Sequence, residues 1–456
     1  MNNSKESVVL KIRNWIKQSL LIKISNIGLI IILLMIPNTL IKDLIQERNR
    51  NQRSVIQEVS SKWGNRQQIV GPVLTIPYKT YFENKDGDVF ESIKYSHFLP
   101  EQLKINGEIN PENRQRGIYN VVLYQALINC QGTFEQPDFE KFGIENDNIL
   151  LDKAFLQVSI PDMGGINDEI AIKFNDHSYR MEPGIEKING FNSGVKIPVV
   201  INPEQNDLAF NFNLNLNGSN ALTFGPIGKE TIVVLNSKWG SPSFMGSFLP
   251  DDHTVTEDGF TATWKILDLN RNYPQSWINE KQNLLQSSFG LELMQPVDEY
   301  AKNFRSAKYA LLVISLTFLL FFFFEVLNKQ KVHPMHYIFI GLAISIFYIL
   351  LLSLSEHLGF NTAYFISSWA IIGLIGTYSS TILETKFLAV VLSAILCAIF
   401  AFIYTILQLE DFALLAGSIG LLLVLASVMY YSRNIDWNKI GKVGAEVGGE
   451  IQPVGE

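Results

Sequence analysis

The residues best placed to do chemistry are ionisable side chains at the ends of long apolar stretches, where charge is costly enough to need a reason. Glu356 and His357 follow one such stretch, and Glu410 and Asp411 separate two others. Three carboxylates and one imidazole facing one compartment could hold a divalent cation or relay protons. The plainer reading is that they are loop residues in water or contacts to a neighbouring domain. A second group joins Glu325, at the end of one stretch, to His333 and His336 at the start of the next. Pro334 suits the first turn of a helix, which sets His333 just before it. A pairing of Glu325 with Lys329 or with a histidine accounts for this group without function. HExxH, paired CxxC and GxSxG motifs are all absent from the sequence, so zinc protease, zinc ribbon and serine hydrolase chemistry have no anchor. GPIGKET at 225–231 has Glu230 where a phosphate loop needs Ser or Thr after the lysine, so it reads as a turn between strands. No residue is assigned to catalysis, a metal or a cofactor, and the expectation is a protein that is not an enzyme.

The elements that must position these groups are legible from hydropathy. A bilayer core needs about 20 apolar residues of helix. Six stretches qualify, at 24–41, 309–327, 335–354, 362–380, 387–407 and 412–431. Lys and Arg crowd the segment before the first stretch, the loops at 328–334 and 381–386, and the C-terminus, while the loops at 355–361 and 408–411 carry none. Positive charge accumulates on the cytoplasmic side. Both termini are therefore expected in the cytoplasm and residues 42–305 outside it. No small-x-small site follows Ile36, which favours an uncleaved anchor over a signal peptide. Residues 8–24 mix apolar and basic side chains and could lie on the inner leaflet or simply set topology.

Between the first two stretches the pattern changes. Residues 44–61 read as a polar helix, and from there to about residue 271 the period is that of strands. Phe210, Phe212, Leu214 and Leu216 alternate with Asn211, Asn213, Asn215 and Asn217, which predicts a strand with one buried face. Asp86-Gly87 predicts a hairpin turn. Further strands are expected at 69–76, 119–128, 150–160, 170–174, 195–201, 231–235 and 261–267. Some 230 residues of short strands exceed one simple sandwich and suggest two packed β units. SKWG at 61–64 and 237–240, and FLP at 98–100 and 248–250, form a faint internal echo of either duplication or chance. The segment 272–277, with Tyr273, Pro274 and Trp277, offers either a contact surface or a piece of buried core or hinge.

The fold class is thus a membrane protein of mixed α+β class: a cytoplasmic basic N-terminus (1–23), an anchor helix (24–41), a large, mostly β periplasmic domain (42–305), a five-helix bundle (306–432) and a cytoplasmic tail (433–456). The 456 residues carry a formal net charge of −7, and residues 42–305 carry 25 Lys+Arg against 34 Asp+Glu. With no basic block, nucleic acid is excluded as a partner. Cys130 and Cys397 fall in different phases and form no disulfide framework.

Eight strings in this sequence carry a resemblance to a known family: LNGSNALTFGPIGKET (216–231), SFMGSFLP (243–250), RNYPQSW (271–277), LMQPVDEY (293–300), AKYALL (307–312), VHPMHY (332–337), LLSLSEH (351–357) and LQLEDFALL (407–415). In these the chain resembles the CreD family of bacterial inner-membrane proteins. It departs from the family pattern at PDMGG (161–165), where an arginine is expected before the second glycine. The resemblance implies a six-span inner-membrane protein with a periplasmic insertion and a role in cell-envelope integrity and stress response. It further implies control by a sensor-kinase and response-regulator pair, and an influence on tolerance to colicins and β-lactams. It supplies no catalytic residues. The expected partners are the lipid bilayer and an envelope protein or cell-wall component, bound non-catalytically by the β domain. The rival reading is transport or lipid handling, with Glu356, His357, Glu410 and Asp411 lining an entrance. A metal-dependent envelope enzyme built on the same four residues is a third.

Overall fold

Six helices are long and apolar enough to cross a membrane among the residues described by the computed structural model, which are 20–83, 86, 88–186, 188–203, 207–278, 282–294, 299–328, 332–383, 385–409 and 412–433. They lie within α1 (Leu20–Trp63), α2 (Glu299–Lys308) with α3 (Ala310–Leu327), α4 (Pro334–Leu358), α5 (Phe360–Ile382), α6 (Lys386–Gln408) and α7 (Ala413–Ser432). Pro334 occupies the first turn of α4, where its missing N–H leaves no bond unmade, and the His333 ring nitrogen accepts the Met335 N–H at 3.3 Å as the cap. Gly359, at φ 76°, ends α4 and starts α5.

The expected anchor and polar helix are one element. α1 continues through Pro37 to Trp63, and at 1.5 Å per residue its 44 residues extend about 66 Å. That is roughly twice the apolar thickness of a bilayer.

Contacts divide the chain into two units, one of Gln52–Val297 and one of the residues on either side. The helical unit takes residues 42–51 and 299–305, because α1 continues past its apolar run and α2 packs on the other helices. Within it Phe318, Phe321, Ile344, Phe347, Phe360 and Phe400 are buried, and Phe347 contacts Tyr364 and Phe400 edge-on.

Among its described residues the other unit has seventeen strands. In chain order these open with β1 (Gln67–Glu83), β2 (Val89–Phe98), β3 (Gln102–Arg116), β4 (Tyr119–Glu135), β5 (Phe155–Ser159) and β6 (Ala171–Phe174). There follow β7 (His177–Arg180), β8 (Glu182–Pro183), β9 (Gly194–Pro198), β10 (Asp207–Ser219), β11 (Ala221–Phe224) and β12 (Glu230–Ser237). The last are β13 (Pro242–Gly246), β14 (Asp252–Thr256), β15 (Gly259–Leu267), β16 (Ser276–Ile278) and β17 (Phe289–Leu293). One sheet runs β13-β17-β11-β1-β5-β9-β8, with β2 on β1 and β16 on β2; the other runs β14-β15-β12-β3-β4-β10-β6-β7.

In place of the two packed β units suggested by length, the strands form two sheets of one unit that share one continuous core. The alternation along β10 works as expected: Phe210, Phe212, Leu214 and Leu216 are buried, and the intervening asparagines lie on the outer face. Cys130 is buried opposite Phe212, and burial pushes its thiol up to about 12, which leaves it unreactive.

The two aromatic residues of segment 272–277 belong to the core and not to a contact surface. Tyr273 and Trp277 are buried, and β16 pairs with β2. The internal echo has no counterpart in three dimensions: the first SKWG closes α1, whereas the second follows the end of β12.

Candidate functional site

The charged residues of the helical unit fall at two levels. At one, Glu325 is buried and its carboxylate is fully engaged. It accepts from Lys23 Nζ at 2.6 Å, from Tyr337 Oη at 3.1 Å and from the Val332 N–H at 3.4 Å. The partner comes from α1, which sequence reasoning counted only as a topology charge. Lys329 lies outside the described residues. The histidines grouped with Glu325 point elsewhere: His333 caps α4, and His336 Nδ1 lies 2.7 Å from Tyr378 Oη on α5.

The second level is built around Glu356. Its carboxylate accepts from Tyr300 Oη at 2.9 Å and stands 4.0 Å from Arg48 Nε. One turn away, Asn303 Nδ2 donates to Ser355 Oγ at 2.7 Å, and Glu299 Oε2 accepts the Phe360 N–H at 2.6 Å, capping α5 from α2. His357, the next residue, is exposed and takes no part in these contacts. Glu410 and Asp411 lie outside the described residues. Of the four residues grouped by sequence, the described pair does not converge. Among the described residues no three of His, Cys, Asp or Glu come together as a metal would need.

Sequence reasoning missed Lys23, Arg48, Glu299, Tyr300 and Asn303. A signal for Tyr300 did exist. It closes LMQPVDEY, and its acceptor Glu356 lies in LLSLSEH, so two of the strings that carry the resemblance meet in one hydrogen bond. From Lys23 to Arg48, α1 rises about 37 Å, close to the span of a bilayer core with part of its headgroup layers.

The β unit offers a different kind of site. The outer face of the eight-stranded sheet holds an open groove of about 930 Å³, lined by Asn106, Glu108, Leu127, Asn129, Asn213 and Asn215 among others. Amide side chains there form a ladder. Asn129 Nδ2 donates to Asn213 Oδ1 at 2.8 Å, Gln125 Nε2 to Asn215 Oδ1 at 2.8 Å, and Asn215 Nδ2 to Asp168 Oδ2 at 2.6 Å. Glu108, Asp168, Glu169 and Asp258 outnumber Lys238 along the walls. Leu127 is the exposed apolar spot on the floor.

Behind this sheet lies a buried knot. Arg271 donates to the carbonyls of Tyr273 at 2.6 Å and Ile227 at 3.2 Å, and Tyr273 Oη donates to the Pro226 carbonyl at 3.1 Å. It ties RNYPQSW to GPIGKET. The latter is a connection between β11 and β12, with Glu230 paired to Lys265 at 2.8 Å.

The family profile described as inner membrane protein CreD matches residues 19–438. The chain belongs to the CreD family. A relative from Escherichia coli (strain K12), described as inner membrane protein CreD, is 33% identical over 433 residues, 92% of this chain and 94% of the relative. CreD membership together with six apolar helices makes this a multi-pass inner-membrane protein in contact with the lipid bilayer. In CreD terms, the polar residues at both levels join the helices to one another, and the groove belongs to the β unit.

Proposed function

We propose that this protein supports cell-envelope integrity by non-catalytic binding of a cell-wall glycan along the groove of its β unit. Both termini lie in the cytoplasm in this reading and residues 52–297 in the periplasm, following the Lys and Arg bias of the short loops. The observation that carries the proposal is the chemistry of the groove. Its amides and carboxylates offer donors and acceptors in rows, matched to the hydroxyls of a polysaccharide, and Leu127 offers a patch for the apolar face of a sugar ring. Concave sites with a few convergent polar groups are where ligands bind. Glu325 and Glu356 hold helices together in this reading and line no pathway.

The test is co-sedimentation of the full chain, in nanodiscs, with purified insoluble cell wall. Wild type should pellet with the wall, and Asn129→Leu with Asp168→Ala should lower the bound fraction at least ten-fold with an unchanged melting temperature. Wild type that stays in the supernatant sinks the proposal. Survival of a deletion strain under envelope-directed agents, rescued by wild type and not by the groove variant, is the matching measurement in cells.

A further inference from the structure

The first hairpin of the β unit leaves large apolar side chains in water. β1 and β2 pair from Leu74↔Phe98 out to Glu83↔Val89. The outer edge of β1 is taken by β5 as far as Thr75 and by a bridge from Tyr78 to Ile149, and that of β2 is taken by β16 at Ser96 to Phe98. Beyond those points the ribbon stands alone among the described residues. Tyr81, Phe82, Val89, Phe90 and Ile93 are each between 46% and 66% exposed. Phe82 and Phe90 stack on one face with centroids 5.6 Å apart, while Tyr81, Val89 and Ile93 lie on the other with Lys79, Glu83 and Glu91. A two-stranded ribbon is marginal by itself, and an unpaired edge beside apolar side chains is a template for another strand.

Charge decides the occupant. Residues 85–88 read Lys-Asp-Gly-Asp, so the end of the hairpin would carry three charges into any bilayer it entered, at a cost of several kcal/mol. The geometry points to a second copy of this chain, paired antiparallel along 79–83 about a two-fold axis through Tyr81. A two-fold axis perpendicular to the sheet keeps each residue on its own face. In this register Lys79 faces the second copy's Glu83, twice by symmetry, Thr80 faces Phe82, and Tyr81 faces itself. Lys79 then sits between that carboxylate and its own Glu91, 3.1 Å away. Opposite charges directly across an antiparallel pair stabilise it. The free edge of β2 lacks this match: Glu91 and Lys94 lie on opposite faces, so no two-fold register opposes them. The result is a four-stranded sheet β2-β1-β1-β2 that covers Tyr81 from both sides. Five paired residues per copy place the contact under about 1,200 Å², the small end of specific interfaces. Sharing one membrane raises the effective concentration that such a contact needs.

The test is cysteine cross-linking of the full chain in native membranes, with Cys397→Ser and the buried Cys130 retained. Tyr81→Cys brings two Cα atoms to about 4.5–5.5 Å across the axis, inside disulfide range. Ile93→Cys sits on the far strands, opposite Lys79 and so two residues off the axis, about 20 Å from its counterpart and beyond that range. The expected result on oxidation is a dimer of twice the chain mass for Tyr81→Cys and none for Ile93→Cys. In the Tyr81→Cys background, Lys79→Glu or Glu83→Lys alone should cut the dimer at least five-fold through like-charge pairs. Co-expression of the two under different tags should restore a mixed dimer. No Tyr81→Cys dimer, equal cross-linking at Ile93→Cys, or charge variants without effect would each overturn the proposal. An adduct of another mass would overturn it in favour of a strand from a different protein.

Discussion

Lys23 and Glu325, 302 residues apart in sequence, form a 2.6 Å ion pair that joins α1 to α3 at one end of the helical unit. The two partners differ in exposure: the lysine side chain is 35% exposed and the glutamate 4%. Removing the lysine therefore strands a buried carboxylate, whereas removing the glutamate leaves an ammonium on a flexible stem that can reach water. Lys23→Ala is expected to cost about 3 kcal/mol, near the low end for breaking a buried pair, and Glu325→Gln less than half of that. Melting temperatures of the purified protein in one detergent check the order, and an equal or inverted order contradicts the account.

Tyr300 and Glu356 make the corresponding link at the other level, between α2 and α4. Tyr300→Phe leaves one acceptor of a mostly buried carboxylate unmet and should cost about 1–2 kcal/mol. His357→Ala, at an exposed position, should be within about 0.5 kcal/mol of wild type. If His357→Ala instead abolishes rescue of a deletion strain with folding intact, a working site at this end of the helices returns to consideration.

His97 makes the β unit sensitive to acid. It is buried with its Nδ1 3.0 Å from Thr75 Oγ1, a hydroxyl that accepts from Gln157 Nε2, and its ring packs 5.2 Å from that of Trp277. Burial pushes its pKa down from 6.5 to about 4. Between those values the unfolded chain binds a proton that the folded chain does not, so stability is full above about pH 6.5 and falls as the pH drops toward 4. The loss is at most about 3 kcal/mol. Urea unfolding followed by tryptophan fluorescence at pH 7, 5.5 and 4 should show it, and His97→Gln should flatten the slope.

Arg271 bridges two backbone carbonyls, with its guanidinium 4.3 Å above the Tyr273 ring. Burial lowers its pKa, but the group stays charged at any pH where the protein folds. A lysine cannot hold both carbonyls in one plane or stack on the ring. Arg271→Lys should cost about 2 kcal/mol, read as a lower urea midpoint with an unchanged slope.

Gly165, in the PDMGG loop where the sequence departs from the family pattern, is packed against backbone. A Cβ there would stand 2.4 Å from the Asn217 carbonyl oxygen and 2.7 Å from Gln67 Nε2. Gly165→Ala should cost about 2 kcal/mol through overpacking, whereas Gly117→Ala has open space and pays only for its φ of 62°. Equal melting temperatures for the two variants would show that the loop yields.

The number and position of the membrane helices were legible from residues alone, because hydropathy over about 20 contiguous positions is a local property measured against a fixed bilayer thickness. The buried face of β10 was legible for a similar reason, since alternation needs only its own strand. That the β region forms two sheets around one core was not. It rests on the parallel pairing of β1 with β11 and of β12 with β3, between segments more than a hundred residues apart. Hydropathy also placed Glu325 and Glu356 at the ends of spans without naming their partners. Lys23, Arg48 and Tyr300 come from other helices, and packing alone brings them within reach. The same holds for Tyr273 and Trp277, whose aromatic side chains suit a surface or a core equally well until β2 and the 226–227 carbonyls close over them. Sequence determined which segments cross the membrane and which face of a strand turns inward. Tertiary structure decided which charges meet, because a pair is set by packing between distant segments that no local pattern encodes.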